Sequence, residues 1–147
     1  MPNPITRDPI NELAPVLAGD ERGALGKWTG QLIVYLRVVA GLSMTKGLYH
    51  WAVICGFVGS SEGFAAQPLP WQTATVFFAV IDLVAAVGLW LAAPWGAVVW
   101  LTAAVSMVVV NISFPQVYGQ QMLIVMMEGA LIAAYLFLAI QSAREHP

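Results

Sequence analysis

The stretch that decides the fold is QTATVFFAVIDLVAAVGLWL, residues 72–91, which carries a single ionisable residue, Asp82. At about 1.5 Å per residue, a helix of this length spans roughly the 30 Å hydrocarbon core of a bilayer. Three further segments have the same character, so the sequence predicts four transmembrane helices. Their expected limits are about 30–54, 72–91, 95–111 and 120–140.

The composition indicates a membrane protein and excludes several other classes. Of 147 residues, 59% are hydrophobic and 10% are charged, against roughly 25% charged residues in soluble domains. The net charge of -2 and the lack of a Lys/Arg cluster argue against nucleic acid as a partner, because phosphates require a basic surface. Cys55 is the single cysteine, which rules out an intramolecular disulfide or a cysteine-based metal site.

These segments predict an all-α membrane protein, an antiparallel bundle of four transmembrane helices that forms one domain over residues 30–141. Residues 1–29 and 142–147 are then tails. The basic residues outside the helices lie in these tails, which predicts that both termini face the cytoplasm at a bacterial inner (plasma) membrane. They are Arg7, Arg22, Lys27 and Arg144. The first tail also has apolar residues at the spacing of a short interfacial helix, namely Ile10, Leu13, Val16 and Leu17.

Ionisable residues inside the predicted helices are the main indication of a functional site. A charge at mid-bilayer costs roughly 3 kcal/mol on insertion scales, so it usually has a partner or a task. Position along each helix puts Lys46, Asp82 and Glu128 about 10 to 13 Å below the outer surface, with His50 one turn above Lys46. Asn111 lies at the outer end of the third helix, near this layer. These five residues are therefore the candidates for a ligand or proton site.

Four other polar residues are expected to be structural or separate from that site. Arg37 points about 180° away from Lys46 on the first helix, so it is expected to reach the inner headgroups or a different helix contact. The others share a helix face with a site residue, and they are Ser43 on the first helix and Gln121 and Tyr135 on the fourth.

Two interpretations of the charged layer stay open. In the first, Lys46 with Asp82 or Glu128 forms a buried ion pair that fixes helix register. In the second, two carboxylates beside one lysine and one histidine form a proton-responsive or ligand-binding pocket. An enzyme with Glu128 or Asp82 as a general base beside His50 is less favoured, because no nucleophile, metal or cofactor motif accompanies these residues.

Two motifs in the first two helices have a recognisable order of residues. They are RVVAG (37–41) followed by KGL (46–48) and His50, and AVIDLVAAVGL (79–89), which contains Asp82. Over residues 33–112 this order resembles the DoxX-like family of small four-helix bacterial inner-membrane proteins, which usually have Glu at the position of Asp82. The resemblance implies the same four-helix fold and, as for some members, an association with quinone-linked or thiol-related oxidoreductase systems.

The small size, single domain and lack of a catalytic motif favour a non-catalytic role. The leading hypothesis is an accessory or assembly subunit of an inner-membrane complex, respiratory or redox-related as the resemblance implies, whose charged network holds the bundle together. The alternative is a small-molecule, quinone or proton-handling protein that uses the network as an outward-facing site. The expected partners are the lipid bilayer and other membrane subunits or further copies of the chain. No cofactor is predicted, and quinone or lipid are the candidate bound molecules.

Overall fold

A computed structural model describes residues 26–59, 61–119 and 121–145. These residues form five α-helices and one short 3-10 helix, with no β-strand among them. The helices are α1 (Lys27–Ile54), α2 (Leu69–Trp90), α3 (Pro94–Ser113), α4 (Pro115–Tyr118) and α5 (Met122–Glu145), and the 3-10 helix is Phe64–Ala66. Four of the α-helices, α1, α2, α3 and α5, are long and apolar enough to cross a membrane. The predicted all-helical class with four apolar spans is therefore confirmed.

Proline residues mark the start of two long helices. Pro70 lies in the first turn of α2, and Pro94 opens α3. The N–H groups of a first turn have no partner within the helix, so proline fits there without the loss of a hydrogen bond. The sequence-based limits treated Pro70 as part of the preceding loop, whereas α2 begins at Leu69.

The segment predicted as a turn between the last two long helices contains a helix of its own. This helix, α4, buries Val117 and is followed by Gly119, which has a φ of 67°. A left-handed residue after a helix is the common position for glycine, because glycine has no Cβ to clash there. Pro115 suggested only a break in the chain, yet it occupies the first turn of α4.

Both ends of the chain differ from their predicted limits or fall outside the described residues. α1 begins at Lys27, and α5 continues to Glu145, where the sequence predicted the C-terminal tail to have begun at residue 142. The interfacial helix predicted over Ile10 to Leu17 lies in residues 1–25, which the structure does not describe, and residues 146–147 are also outside it.

Glu145 explains why α5 is longer than predicted. Its carboxylate accepts hydrogen bonds from the backbone N–H groups of Trp28 (3.1 Å) and Thr29 (3.2 Å), and the hydroxyls of Thr29 and Ser142 are 2.8 Å apart. The first N–H groups of a helix lack internal partners and form the positive end of its dipole, so a carboxylate stabilises them. The end of α5 is thereby held against the start of α1.

The connection between α2 and α3 depends on two glycines. A Cβ added to Gly96 would lie 2.2 Å from the carbonyl carbon of Gly88, and one added to Gly88 would lie 2.5 Å from Cα of Gly96. Glycine allows two membrane helices to bring their backbones into contact. Ala92, in the turn between these helices, has a positive φ of 51°. The tight hairpin is therefore a backbone-to-backbone contact.

The buried apolar core lies where α1, α2 and α3 meet. Trp100 of α3 is 3% exposed, and the ring of Tyr135 from α5 packs edge-on against it with 5.6 Å between ring centres. The other buried side chains of the cluster around Trp100 are aliphatic, and they are Leu36, Val39, Ala40, Ala85, Leu89 and Ala97. Within α5, only Glu128 is fully buried, so this helix contributes mainly partly buried side chains.

The glycine contact predicts a selective effect of adding one methyl group. Gly96→Ala would force α2 and α3 apart, and we expect a loss of about 1 to 3 kcal/mol, the usual cost of overpacking. Gly41→Ala on α1 is the matched control, because its Cβ would meet nothing within 4 Å. Thermal unfolding in detergent should show a lower midpoint for Gly96→Ala and an unchanged or higher one for Gly41→Ala. Equal midpoints for the two variants would contradict the close approach.

Candidate functional site

Three charged side chains from three different helices meet inside the protein. The Lys46 Nζ atom lies 2.6 Å from Glu128 Oε1 and 3.8 Å from Asp82 Oδ1. The side chains of Asp82 and Glu128 are 1% and 2% exposed, whereas that of Lys46 is 30% exposed. Position along each helix predicted that these three residues lie in one layer, and the structure brings them together. We call them the charge cluster.

Small residues let α1 and α2 approach each other at the level of the charge cluster. Gly47 follows Lys46, and a Cβ at this position would lie 2.8 Å from Cγ of Leu83, the residue after Asp82. On the face of Asp82, Ala79 is fully buried and Ala86 is 1% exposed. Because the side chains between α1 and α2 are small at this level, Lys46 reaches Asp82 as well as Glu128.

His50 lies next to the charge cluster, but its contacts are with aromatic side chains. It is 9% exposed, and its ring stacks on Phe78 at 6.1 Å and lies 6.4 Å from the ring of Tyr118. Within the described part of the chain, no carboxylate lies within ion-pair distance of it. The structure therefore places His50 beside the ion pairs, in an aromatic environment.

Among the residues that the structure describes, two buried side-chain oxygen atoms have no hydrogen-bond partner. Asn111 is 2% exposed, and its Nδ2 donates to the carbonyl of Met107 at 2.9 Å, whereas its Oδ1 is unpartnered. Oδ2 of Asp82 is unpartnered as well. Buried polar atoms are nearly always hydrogen-bonded, so such exceptions call for an explanation. Both atoms can accept a hydrogen bond, and neither receives one from the residues that the structure describes.

A cavity of about 660 Å³ adjoins the charge cluster. This volume lies within the roughly 300 to 1,000 Å³ of small-molecule sites, which are mostly apolar with a few converging polar groups. All five helices and the segments after α4 contribute to its lining. The lining residues are Thr45, Lys46, Tyr49, His50, Val53, Trp71, Thr75, Met107, Asn111, Val117, Tyr118, Gly119, Gln121, Ile124, Met127 and Glu128.

Tyr118 on α4 is one of the residues that line this cavity. Its hydroxyl lies 3.3 Å from Oγ1 of Thr75, and its ring packs at 6.4 Å from Phe78. Burial raises the pKa of the Tyr118 phenol above its usual value, and the hydrogen bond with Thr75 acts in the opposite direction. At neutral pH the side chain is therefore a neutral hydroxyl that can both donate and accept.

Sequence reasoning missed several of the lining residues for identifiable reasons. Thr75 could have been found, because it lies seven residues before Asp82 and so on the same face of α2. Tyr118 could not, because the segment that carries it was predicted as a turn. Gln121 was expected to be structural or separate, whereas it lines the cavity.

The other residues set apart by the sequence lie outside the cavity. The guanidinium of Arg37 lies 5.8 Å from the ring centre of Trp90, a cation–π contact near the end of α2. Ser43 is 3% exposed on α1, and Tyr135 contacts Trp100 in the core. The described residues hold no group of three or more His, Cys, Asp or Glu side chains placed for a metal ion.

Four long apolar helices with a charge cluster between them indicate a helical membrane protein. The model of a family of unknown function (DUF6163) matches residues 30–146, and the chain therefore belongs to that family. No curated protein and no solved structure matches the chain.

The family match corrects the resemblance to DoxX-like proteins, which was wrong. That resemblance depended on small and apolar residues around Arg37, Lys46 and Asp82. Glycine and alanine recur in unrelated membrane helices because they permit close packing, so such a pattern discriminates poorly between families. The oxidoreductase associations that the resemblance implied have no further support.

The charge cluster predicts that replacing its one lysine greatly lowers the free energy of unfolding. Lys46→Met leaves two buried carboxylates without a counter-charge, and we expect a loss of about 3 to 5 kcal/mol, typical of breaking a buried pair. Arg37→Met removes an exposed cation–π contact, worth about 0.5 to 1 kcal/mol, and serves as the control. Thermal unfolding in detergent measures both variants. If Lys46→Met unfolded at the same temperature as Arg37→Met, the cluster could not be important for stability.

Proposed function

We propose that this chain is a multi-pass membrane protein that binds a small molecule in the cavity next to Lys46 and Glu128. The observation that carries the proposal is the unpartnered Oδ1 of buried Asn111 in the wall of a cavity of about 660 Å³. Such a site offers an apolar volume together with a few fixed polar groups, the usual composition of a ligand pocket.

The proposal includes an antiparallel four-helix bundle with both termini on the cytoplasmic side of a bacterial inner membrane. The hydrogen bonds from Trp28 to Glu145 support this topology, because they hold the start of α1 and the end of α5 together. Lys27 and Arg144 lie at that end, and the connections 55–68 and 114–121 at the other end contain no Lys or Arg. Basic residues favour the cytoplasmic side, so the cavity lies toward the outer surface.

A purely structural ion pair explains the site less well than a binding pocket does. Charges that only fix helix register are expected to be packed on all sides, because exclusion of water and full hydrogen bonding are what make a buried pair tolerable. Lys46 instead remains 30% exposed and lines the cavity together with Glu128. These features favour a pocket whose base is formed by the ion pair.

A second candidate function is that of an accessory or assembly subunit of an inner-membrane complex, or of a homo-oligomer. The exposure of α5 favours it: Leu123 and Met126 are 81% and 67% exposed, and only Glu128 is buried within this helix. An apolar helix face of this kind contacts either lipid or another transmembrane helix. Mild-detergent isolation separates the two cases, since a stable complex with other subunits supports this candidate.

The binding function is tested by removing the unpartnered acceptor. Asn111→Leu keeps the branched shape and the number of side-chain heavy atoms, and we expect it to fold with equal or higher stability, because it removes an unsatisfied buried polar atom. A hydrogen bond to a ligand of about 1.4 kcal/mol corresponds to a tenfold change in affinity, so we expect at least that loss. Thr102→Val is the matched control, because Thr102 bonds the carbonyl four residues earlier, as Asn111 does, but is exposed and outside the cavity.

The probe for this test is a benzyl alcohol that carries a photoreactive diazirine group. Protein in lipid nanodiscs is labelled at increasing probe concentration, with unlabelled benzyl alcohol as competitor, and the adducts are mapped by peptide mass spectrometry. We expect saturable, competed labelling of the segments around Tyr49 and Ile124, and a tenfold weaker response in Asn111→Leu. Labelling of these segments that never saturates, or that Asn111→Leu leaves unchanged, would refute the binding function.

A further inference from the structure

The cavity reaches the molecular surface between α1 and α5. Its border on α1 includes Thr45 and Tyr49, and its border on α5 includes Ile124 and Met127. Tyr49 is 56% exposed and Met127 is 51% exposed, so both border helices present cavity-lining side chains at the molecular surface.

The contacts between α1 and α5 explain why the opening lies there. Toward the Lys27 end, the two helices are joined by the edge-on rings of Trp28 and Phe137 and by the hydrogen bond from the Tyr35 hydroxyl to the Leu131 carbonyl. The hydrogen bond from Lys46 to Glu128 is the last such contact in the direction of Ile54 within the described residues.

Beyond that point α1 is tied to α2 and not to α5. The indole of Trp51 donates a hydrogen bond to the carbonyl of Ala79 at 3.2 Å, and Tyr118 from α4 bonds to Thr75, also on α2. Since α1 and α4 both form hydrogen bonds with α2, the space next to α5 is left open. The base of this space is the ion pair of Lys46 and Glu128.

The opening lies at the depth of the membrane's hydrocarbon. Thr45 precedes the end of α1 at Ile54 by nine residues, or about 13 Å along the helix, and Met127 lies five residues, or about 7 Å, inside the start of α5. A molecule that passes between these borders comes from the lipid phase, not directly from water.

The polar groups of the site determine which head group a ligand in the cavity could have. Asn111 Oδ1, an unpartnered buried atom on a residue that lines the cavity, is a hydrogen-bond acceptor. The charge cluster holds two carboxylates and one ammonium group, so it carries an excess negative charge when all three are ionised. An anionic head group would be repelled, and a head group that only accepts hydrogen bonds would leave Asn111 unsatisfied.

The geometry points to a membrane-dissolved amphiphile as the ligand, with a hydroxyl or amine head group that donates to Asn111 and an apolar chain that leaves between α1 and α5. This inference rests on the proposed binding function and adds the class of ligand and its route. Val53, Ile124 and Met127 line the path of the chain. The head group lies beside Lys46 and Glu128.

The test uses long-chain probes that differ only in their head groups. A photoreactive diazirine is placed at the same chain position in an alkanol, an alkylamine, an alkanoic acid and an alkyl methyl ether. Each is added to the full chain in phosphatidylcholine vesicles, and the adducts are mapped as above. We expect the alkanol and the alkylamine to label the borders on α1 and α5 saturably, and the acid and ether to label them at least tenfold less.

Substitutions at the opening test the route. Ile124→Trp should reduce the saturable labelling by the alkanol at least tenfold, because it places a large ring between α1 and α5. Val98→Trp is the control, since Val98 is 64% exposed on α3 and lies away from the cavity. Thermal unfolding verifies that each variant is folded, and Thr45→Trp on the opposite border replaces Ile124→Trp if that variant is not.

The possible results distinguish an error in the ligand class or route from an error in the binding function. Saturable labelling by the benzyl alcohol probe without saturable labelling by the alkanol would overturn this inference and leave the binding function standing. Equal labelling by the acid or the ether would overturn the donor head group. Unchanged labelling in a folded border variant would overturn the route between α1 and α5. Non-saturable labelling by every probe would overturn both proposals.

Discussion

We infer that the position of α5 depends on one interaction, the ion pair between Lys46 on α1 and Glu128 on α5. Glu128 is the single fully buried residue within α5, and its 2.6 Å contact with Lys46 fixes where this helix crosses α1. A carboxylate in an apolar environment requires a partner. The helix with the least apolar burial is thus positioned by its most polar buried side chain, with Glu145 as a second attachment at the opposite end of α1.

The unequal attachment of the helices produces the cavity. α1 and α2 pack closely through Gly47, and α2 and α3 through Gly88 and Gly96. α5 has no comparable glycine contact, since a Cβ on Gly129 would meet nothing within 4 Å. One side of the protein is therefore tightly packed. On the other side, α5 is held by polar contacts and by the ring contacts of Phe137 and Tyr135, with the cavity beside it.

Much of this arrangement could be predicted from the sequence. Runs of apolar residues gave the long helices, and counting residues along each helix placed Lys46, Asp82 and Glu128 at one depth, where the structure has them in contact. That they form a ligand site stays a prediction. The cap formed by Glu145, the helix α4 and the cavity depend on contacts between distant segments, which helix periodicity does not encode. Family membership could not be judged from a few small-residue spacings, because packing alone produces them.

The coupling energy between Lys46 and Glu128 tests the central claim most directly. It is obtained from the unfolding free energies of Lys46→Met, Glu128→Leu and the double variant in one detergent. Lys46→Met leaves both buried carboxylates, Glu128 and Asp82, without a counter-charge, whereas the double variant leaves only Asp82 without one. The account therefore predicts that the double variant is more stable than the sum of the single effects by about 1 to 3 kcal/mol. Additivity within about 0.5 kcal/mol would mean that the two side chains do not depend on each other, and it would contradict the account.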